Sequence, residues 1–329
     1  MLGTRMTDTS AAPTAVLMGP QRMEPIVREA LDLMQVHDMV ATVTAGWQER
    51  EAEDDELEQA LGRPSVNLML HGRGEEVFRD DPELFEAHRA KQDKLRHLQE
   101  IYRRRLTHVM AAARLMQSLE DDHEHAPAEL IAPHRDRAVD MVRALDDEHA
   151  RYVNEVEAEF EDQLRPGERA AVQRHRGEIL DLLSRCSAVA IAGGHVAILL
   201  NRLRLFGLAP ALARLPVMAW SAGAMVLTGR IALFHDSPPQ GRGNAEILGD
   251  GMGLHPDVVV LPLARRRLLL DDRKRIALLA QRFAPATCVA LDERCYIARE
   301  PGSAPARWRA SPETRRLTTD GQCVAMETP

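Results

Sequence analysis

The segment Val217–Leu227 (VMAWSAGAMVL) places a serine, Ser221, between an apolar strand-like run and a helix-like run. Small residues follow the serine, so the backbone can bend tightly and expose the hydroxyl, which is the arrangement of a nucleophile elbow. The amide of Ala222 would then lie at a helix N-terminus and could stabilise a developing oxyanion. The same pattern also fits an ordinary strand–turn–helix corner in which the serine caps the helix.

A second segment, Ala190–Val196 (AIAGGHV), carries the glycine pair Gly193 and Gly194 between a buried strand and a helix. Glycines at this place let backbone amides approach a ligand closely. If the two strands are neighbours, this pair would complete an oxyanion-binding site beside Ser221. Such glycines also serve only the turn in many proteins, and that alternative stays open.

The elements that would position these motifs are short apolar runs alternating with helix-like segments. The predicted strands are Thr14–Met18, Met39–Thr44, Val66–Leu70, Ala188–Ala192, Pro216–Trp220, Val258–Leu261, Thr287–Leu291 and Cys295–Ala298. This alternation is typical of βαβ units. We therefore predict an α/β domain built on a parallel sheet, formed by residues 1–75 and 176–329.

Residues 76–175 between these two parts have a different pattern, without strand-like runs. Apolar residues recur there at spacings of three and four, which predicts two long helices in an antiparallel hairpin. Residues 76–170 contain 15 Lys and Arg against 23 Asp and Glu, so they account for the net charge of −8 of the whole chain. We expect a charged helical insertion that projects from the α/β domain.

Composition excludes several classes of function. An aromatic content of 4% and a negative net charge argue against a nucleic-acid-binding protein. The longest apolar stretch, Ala188–Leu200, is too short and too interrupted to span a membrane. The four cysteines form no CxxC pair, which argues against a zinc site and a disulfide framework. We expect a cytoplasmic protein that requires no metal and no cofactor.

The order strand–GGH–helix–strand–WSAGA–helix, followed by LFHDSP, GMGL, VVVLPLARRRL and VALDE, resembles the serine peptidase family of dipeptidase E and cyanophycinase. The resemblance is loose over residues 14–75, good over residues 186–300 and absent from the insertion. It implies a three-layer class I glutamine amidotransferase-like (flavodoxin-like) fold. Glutamine amidotransfer itself is disfavoured, because that chemistry uses a cysteine where Ser221 stands.

The resemblance also implies roles for individual residues. It makes Ser221 the nucleophile and puts Gly194 and the Ala222 amide at the oxyanion positions. Asp236 lies near the place of an acidic partner in one branch of the family, and Asp292-Glu293 matches a DE pair of the cyanophycinase branch. The family's general-base histidine, however, corresponds to Leu263, which cannot accept a proton from a serine.

Other side chains near these motifs have both a functional and a plain structural interpretation. His195 is the first candidate for a relocated base, before His235 and His255, and each also fits an ordinary loop histidine. Arg265 could clamp a carboxylate or phosphate of the substrate, or it could belong to a solvated helix face together with Arg266 and Arg267. Glu293, in the DE pair, is a second candidate substrate-binding residue. The turn at Asp121–Pro127 (DDHEHAP) could attract a metal but is a poor cage, which favours a solvated turn.

Two functions therefore remain. In the first, the chain is a peptidase-like hydrolase that uses Ser221 with a relocated base, and a small acidic peptide is the candidate substrate. In the second, it is a catalytically inactive relative whose pocket binds a small peptide or other small molecule. In either case residues 76–175 could contact a protein partner or a second subunit.

Overall fold

The computed structural model describes residues 14–119, 127–234, 245–302 and 306–326. The strands in these ranges are β1 (Ala15–Met18), β2 (Val40–Val43), β3 (Ser65–Asn67), β4 (Ala188–Ile191), β5 (Val217–Trp220), β6 (Arg230–Leu233), β7 (Glu246–Asp250), β8 (Val258–Pro262), β9 (Thr287–Leu291), β10 (Tyr296–Arg299), β11 (Trp308–Ala310), β12 (Arg315–Leu317) and β13 (Cys323–Ala325). The helices are α1 (Val27–Leu33), α2 (Asp55–Leu61), α3 (Leu70–Asp80), α4 (Pro82–Leu119), α5 (Ala128–Leu164), α6 (Ala170–Leu183), α7 (Val196–Leu205), α8 (Ala209–Leu212), α9 (Ala222–Leu227), α10 (Ala264–Arg267) and α11 (Arg273–Phe283). Two 3₁₀ segments, Ala45–Arg50 and Pro166–Glu168, complete the regular structure of these ranges.

The central sheet has the strand order β11-β10-β1-β5-β4-β2-β3. Its five strands from β1 to β3 are parallel, whereas β10 and β11 are antiparallel, so the predicted parallel sheet is corrected to a mixed one. The fold is nevertheless α/β, as predicted. Met18 pairs with Trp220 and Ile191 with Ala219, so β1, β4 and β5 end at one edge of the sheet.

Helices cover both faces of this sheet, because its side chains alternate between two cores. Val16 and Met218 pack on one face with α1 and α2. Leu17 and Ala219 pack on the other face with α3, α6, α7 and α9. This arrangement is compatible with a three-layer α/β fold.

Strands β8 and β9 lie outside the central sheet. They are parallel to each other and belong to a second sheet with the order β13-β12-β9-β8, and β6 pairs with β7 in a separate antiparallel ribbon. Val258–Leu261 and Thr287–Leu291 are therefore strands, as predicted, in a sheet that was not predicted. The third predicted strand also ends early. Met69 takes a left-handed conformation, and its amide donates a hydrogen bond to the Asn67 side chain before α3 begins.

Helices α4 and α5 form the predicted hairpin. Lys91 pairs with Glu157, and Tyr102 pairs with Asp146. Residue numbers therefore increase along α4 while those of its partners on α5 decrease, so the two helices are antiparallel. The hairpin packs against the rest of the chain along its length instead of projecting, because its apolar seam shares one core with β7 and α11. The turn with Asp121–Pro127 lies mostly outside the described residues.

No helix in the described ranges is long and apolar enough to cross a membrane.

Candidate functional site

Ser221 lies at the sharp turn between β5 and α9, at the edge where β1, β4 and β5 end. Its backbone has φ 50° and ψ −119°, a conformation that is strained for a residue with a Cβ atom. Its amide donates to the carbonyl of Met18 at 3.1 Å, and its carbonyl accepts from the amide of Met225 at 3.0 Å. These two hydrogen bonds tie the turn to β1 and α9 and hold the serine in its strained conformation.

Glycine is required where α9 starts. A Cβ atom on Gly223 would lie 2.3 Å from the carbonyl oxygen of Ile191, so only glycine lets α9 begin against the end of β4. The SAG sequence of the elbow is therefore explained by its packing against the neighbouring strand.

The glycine pair lies directly beside this turn. A Cβ atom on Gly193 would come within 3.0 Å of the Ser221 Cβ and 3.6 Å of the Ala222 amide nitrogen. Gly194 has φ 120°, and a Cβ atom there would lie 2.4 Å from the carbonyl oxygen of Gly46. The structure thus brings together Ser221, Ala222 and the glycine pair. A Cβ atom at either glycine would be too close to its neighbours, which explains why both positions hold glycine.

The strain at Ser221 predicts a gain in stability from Ser221→Gly. Glycine adopts positive φ without a Cβ clash, and after its own entropy cost we expect the free energy of unfolding to rise by about 1 kcal/mol. Urea unfolding measures this difference. Ser221→Ala is the matched control, because it removes the hydroxyl but keeps the Cβ atom. Equal stability of the Gly and Ala variants would show that the turn is not strained.

Ser221 opens into a cavity of about 600 Å³, called here the Ser221 cavity. The lining residues come from the end of β1, the 3₁₀ segment, α2, the glycine pair and the elbow, and those with polar or aromatic side chains are Gln21, Arg22, Trp47, Arg50, Glu53, Glu56, Trp220 and Ser221. Arg50 and Glu53 form an exposed ion pair at 2.6 Å. The exposed Arg22 makes no hydrogen bond or ion pair with any described residue. No histidine is among the described residues that line this cavity.

His195 follows the glycine pair but faces away from this cavity. Its Nδ1 accepts a hydrogen bond from the amide of Ile198 at 3.3 Å and so caps α7. The exposed imidazole lines a second cavity, between α7 and the hairpin. A base function at Ser221 would require the side chain to leave this position.

The other two candidate histidines differ in what the structure describes. His255 is buried, its Nδ1 lies 3.0 Å from Nη1 of Arg299, and its ring packs on Trp308. Burial lowers the pKa of His255 to about 4, so it is neutral at pH 7. His235 and Asp236 lie outside the described residues.

Leu263 is the first residue after β8 and also has a left-handed backbone, with φ 55° and ψ 42°. Its amide donates to the carbonyl of Leu291 at 3.1 Å, which joins the ends of β8 and β9. Asp292, the residue after Leu291, approaches Gly19 closely. A Cβ atom added to Gly19 would lie 1.9 Å from the Asp292 carbonyl oxygen. Because Gly19 follows β1, the corner with Leu263 lies against the strand that neighbours the elbow.

Asp292 and Arg265 meet at this corner. The Asp292 carboxylate is almost fully buried and accepts a hydrogen bond from the Arg265 amide at 3.0 Å. Burial raises the pKa of Asp292, and this hydrogen bond opposes the shift. The Arg265 guanidinium lies 3.7 Å from Asp292 and 3.9 Å from Glu313, while Glu293 is exposed. Neither Arg265 nor Glu293 is among the lining residues of the Ser221 cavity.

Sequence reasoning missed Arg22, Trp47 and Arg50 as neighbours of Ser221. All three follow the carboxyl ends of parallel strands, β1 and β2, where ligands bind in open α/β sheets. Their position after these strand ends was the signal by which the sequence could have identified them as neighbours of Ser221.

No protein-family model matches this chain, and no curated protein matches it. Among solved structures, the crystal structure of a peptidase from an acI-B1 Actinobacterium is similar, with a TM-score of 0.42 and 12% sequence identity over 95% of this chain and 96% of that one. No group of three or more metal-ligating side chains is close enough to hold a metal ion within the described ranges.

Proposed function

We propose that this chain is a peptidase-like protein of the dipeptidase E and cyanophycinase type, whose Ser221 cavity binds a small peptide or a similar acyl compound without turning it over. In this proposal the fold is class I glutamine amidotransferase-like, and residues 76–175 are an insertion in the α/β domain. The hairpin as a contact surface for a partner or second subunit stays a prediction.

The observation that carries the proposal is the lining of the Ser221 cavity, in which no described residue can serve as an imidazole base. The amides of the glycine pair and Ala222 would bind a carbonyl oxygen, and Arg22 would bind a carboxylate, without any proton transfer. Hydrolysis requires a base to deprotonate the serine. The resemblance puts that base at position 263, where this chain has leucine, and the His195 side chain caps α7.

A hydrolase with a relocated base is the second candidate, and one observation favours it. Backbone strain of this kind costs about 1–3 kcal/mol and persists mainly at functional sites. The strain at Ser221 is what a nucleophile requires, and a pure binding site does not need it.

A fluorophosphonate probe distinguishes the two, because it reacts with activated serines. We expect wild-type protein at neutral pH to be labelled no faster than Ser221→Ala, and both to bind small peptides in equilibrium dialysis. Circular dichroism establishes that both proteins are folded. Labelling that depends on Ser221 would overturn the non-catalytic proposal in favour of the hydrolase.

A further inference from the structure

The second cavity, called here the hairpin cavity, has a volume of about 420 Å³ and lies between α4, α5, α7 and β7. This volume lies in the range of small-molecule sites. Its apolar wall consists of Leu95, Val153, Phe160, Leu200, Leu205 and Leu248. It contains neither Ser221 nor any residue of the elbow, so a function here would go beyond the one proposed above.

Two cations in the hairpin cavity are already paired with Glu157. The almost fully buried Lys91 places its Nζ 2.9 Å from the Glu157 carboxylate and 4.1 Å from the centre of the Phe160 ring. Arg204 lies 3.6 Å from the other Glu157 oxygen and donates to the carbonyl of Asp250 at 2.8 Å. Both cations are thus engaged with Glu157, and the one positive charge that this single carboxylate leaves uncompensated is balanced by Glu161.

The remaining cationic and titratable groups of the cavity do not favour an anion either. Arg96 forms an ion pair with Asp93 at 2.7 Å. Burial lowers the pKa of His88 to about 3, so His88 is neutral at pH 7. An anionic ligand would therefore have to break an existing ion pair.

Glu161 differs from these residues. It lies one helical turn beyond Glu157 on α5 and lines the same cavity. Its carboxylate makes no hydrogen bond or ion pair within the described part of the chain. Glu161 is exposed at the mouth of the cavity, and the partial burial of its carboxyl group raises its pKa, as does the neighbouring Glu157, while Lys91 and Arg204 oppose the shift. A carboxylate beside an apolar wall is stabilised most by a cation that brings its own hydrogen-bond donors.

We propose that the hairpin cavity binds a small primary amine with an apolar body. The ammonium group pairs with Glu161, and the hydrocarbon part lies among Leu95, Leu200 and Leu248. The amine supplies a direct hydrogen-bond donor to Glu161, which Lys91 and Arg204 stabilise only through space, and the apolar wall holds its hydrocarbon part.

Titration calorimetry of the full-length Ser221→Ala protein with n-hexylamine, 1-hexanol and hexanoate tests this proposal. The three probes share one chain and differ in the head group, and the Ser221→Ala background separates the result from any reaction at the elbow. We expect n-hexylamine to bind roughly tenfold more tightly than 1-hexanol, and hexanoate to bind most weakly, because a charge-assisted hydrogen bond forms only with the amine.

Glu161→Gln should weaken n-hexylamine binding roughly tenfold and leave 1-hexanol binding unchanged. Asp162→Asn is the matched control, since Asp162 is exposed on the same helix, as Glu161 is, but does not line the cavity. Equal affinities for amine and alcohol, an unchanged affinity in Glu161→Gln, or no detectable amine binding would each overturn the proposal.

Discussion

Arg282→Met is expected to lower the free energy of unfolding by about 3–5 kcal/mol, because it leaves the Asp146 carboxylate buried without its counterion. The side chain of Arg282 is 0% exposed and that of Asp146 is 7% exposed. Two hydrogen bonds, of 2.5 and 2.8 Å, join the guanidinium to this carboxylate. Arg282 lies on α11 and Asp146 on α5, so the pair joins the hairpin to the rest of the chain.

Further hydrogen bonds satisfy the other polar atoms of this pair. Arg282 also donates to the carbonyl of Ala245 at 2.6 Å and to the hydroxyl of Tyr102 at 2.8 Å. Tyr102 donates to Asp146 at 2.8 Å and accepts from the amide of Ile247 at 3.1 Å. Removing one member of such a network leaves several buried groups unsatisfied, which explains the size of the expected loss.

The midpoint of urea unfolding measures the loss in Arg282→Met. Arg143→Met is the matched control, because Arg143 also joins α5 to α11, through the carbonyl of Gln281, but its side chain is 38% exposed. We expect this control to lose less than about 1 kcal/mol. Replacing both partners, as Arg282→Met with Asp146→Leu, should restore part of the stability, since no charge remains buried. A loss below about 1 kcal/mol in Arg282→Met would contradict this account.

The network also illustrates what the sequence could not predict. The periodicity of the insertion predicted two antiparallel helices, and the structure has them. Arg282 and Asp146 are 136 positions apart, and nothing local marks them as partners. The expectation of a projecting hairpin failed for this reason, because contacts with α11 and β7 depend on the tertiary fold.

The sheets show the same limit. Apolar runs predicted β8, β9 and β10 as strands, because strand formation depends on local pattern. The partners of a strand depend on its connections. Only four residues join β9 to β10, too few for a parallel crossover, and β10 pairs with β1 in the antiparallel sense.

At the site, the small residues around Ser221 predicted a tight turn correctly, whereas the direction of the His195 side chain depends on the cap of α7.

Leu263→His is expected to make Ser221 reactive toward a fluorophosphonate, with a rate about 100-fold or more above that of the wild type, which is the usual effect of a positioned general base. The left-handed backbone at this position, with φ 55°, suits histidine better than leucine. The Leu263 amide donates a hydrogen bond to the carbonyl of Leu291, and the next residue in the chain is the buried Asp292. The Asp292 carboxylate could therefore orient the new imidazole.

The rate should rise with pH through the usual histidine range, about 6–7, because only the neutral imidazole accepts the serine proton. Leu263→Asn is the matched control, since asparagine tolerates the same backbone but provides no base, and Leu263→His combined with Ser221→Ala should not be labelled. A folded Leu263→His protein that labels no faster than Leu263→Asn would show that position 263 does not reach the serine. The explanation that Ser221 is unreactive because position 263 holds leucine instead of the base would then have to be abandoned.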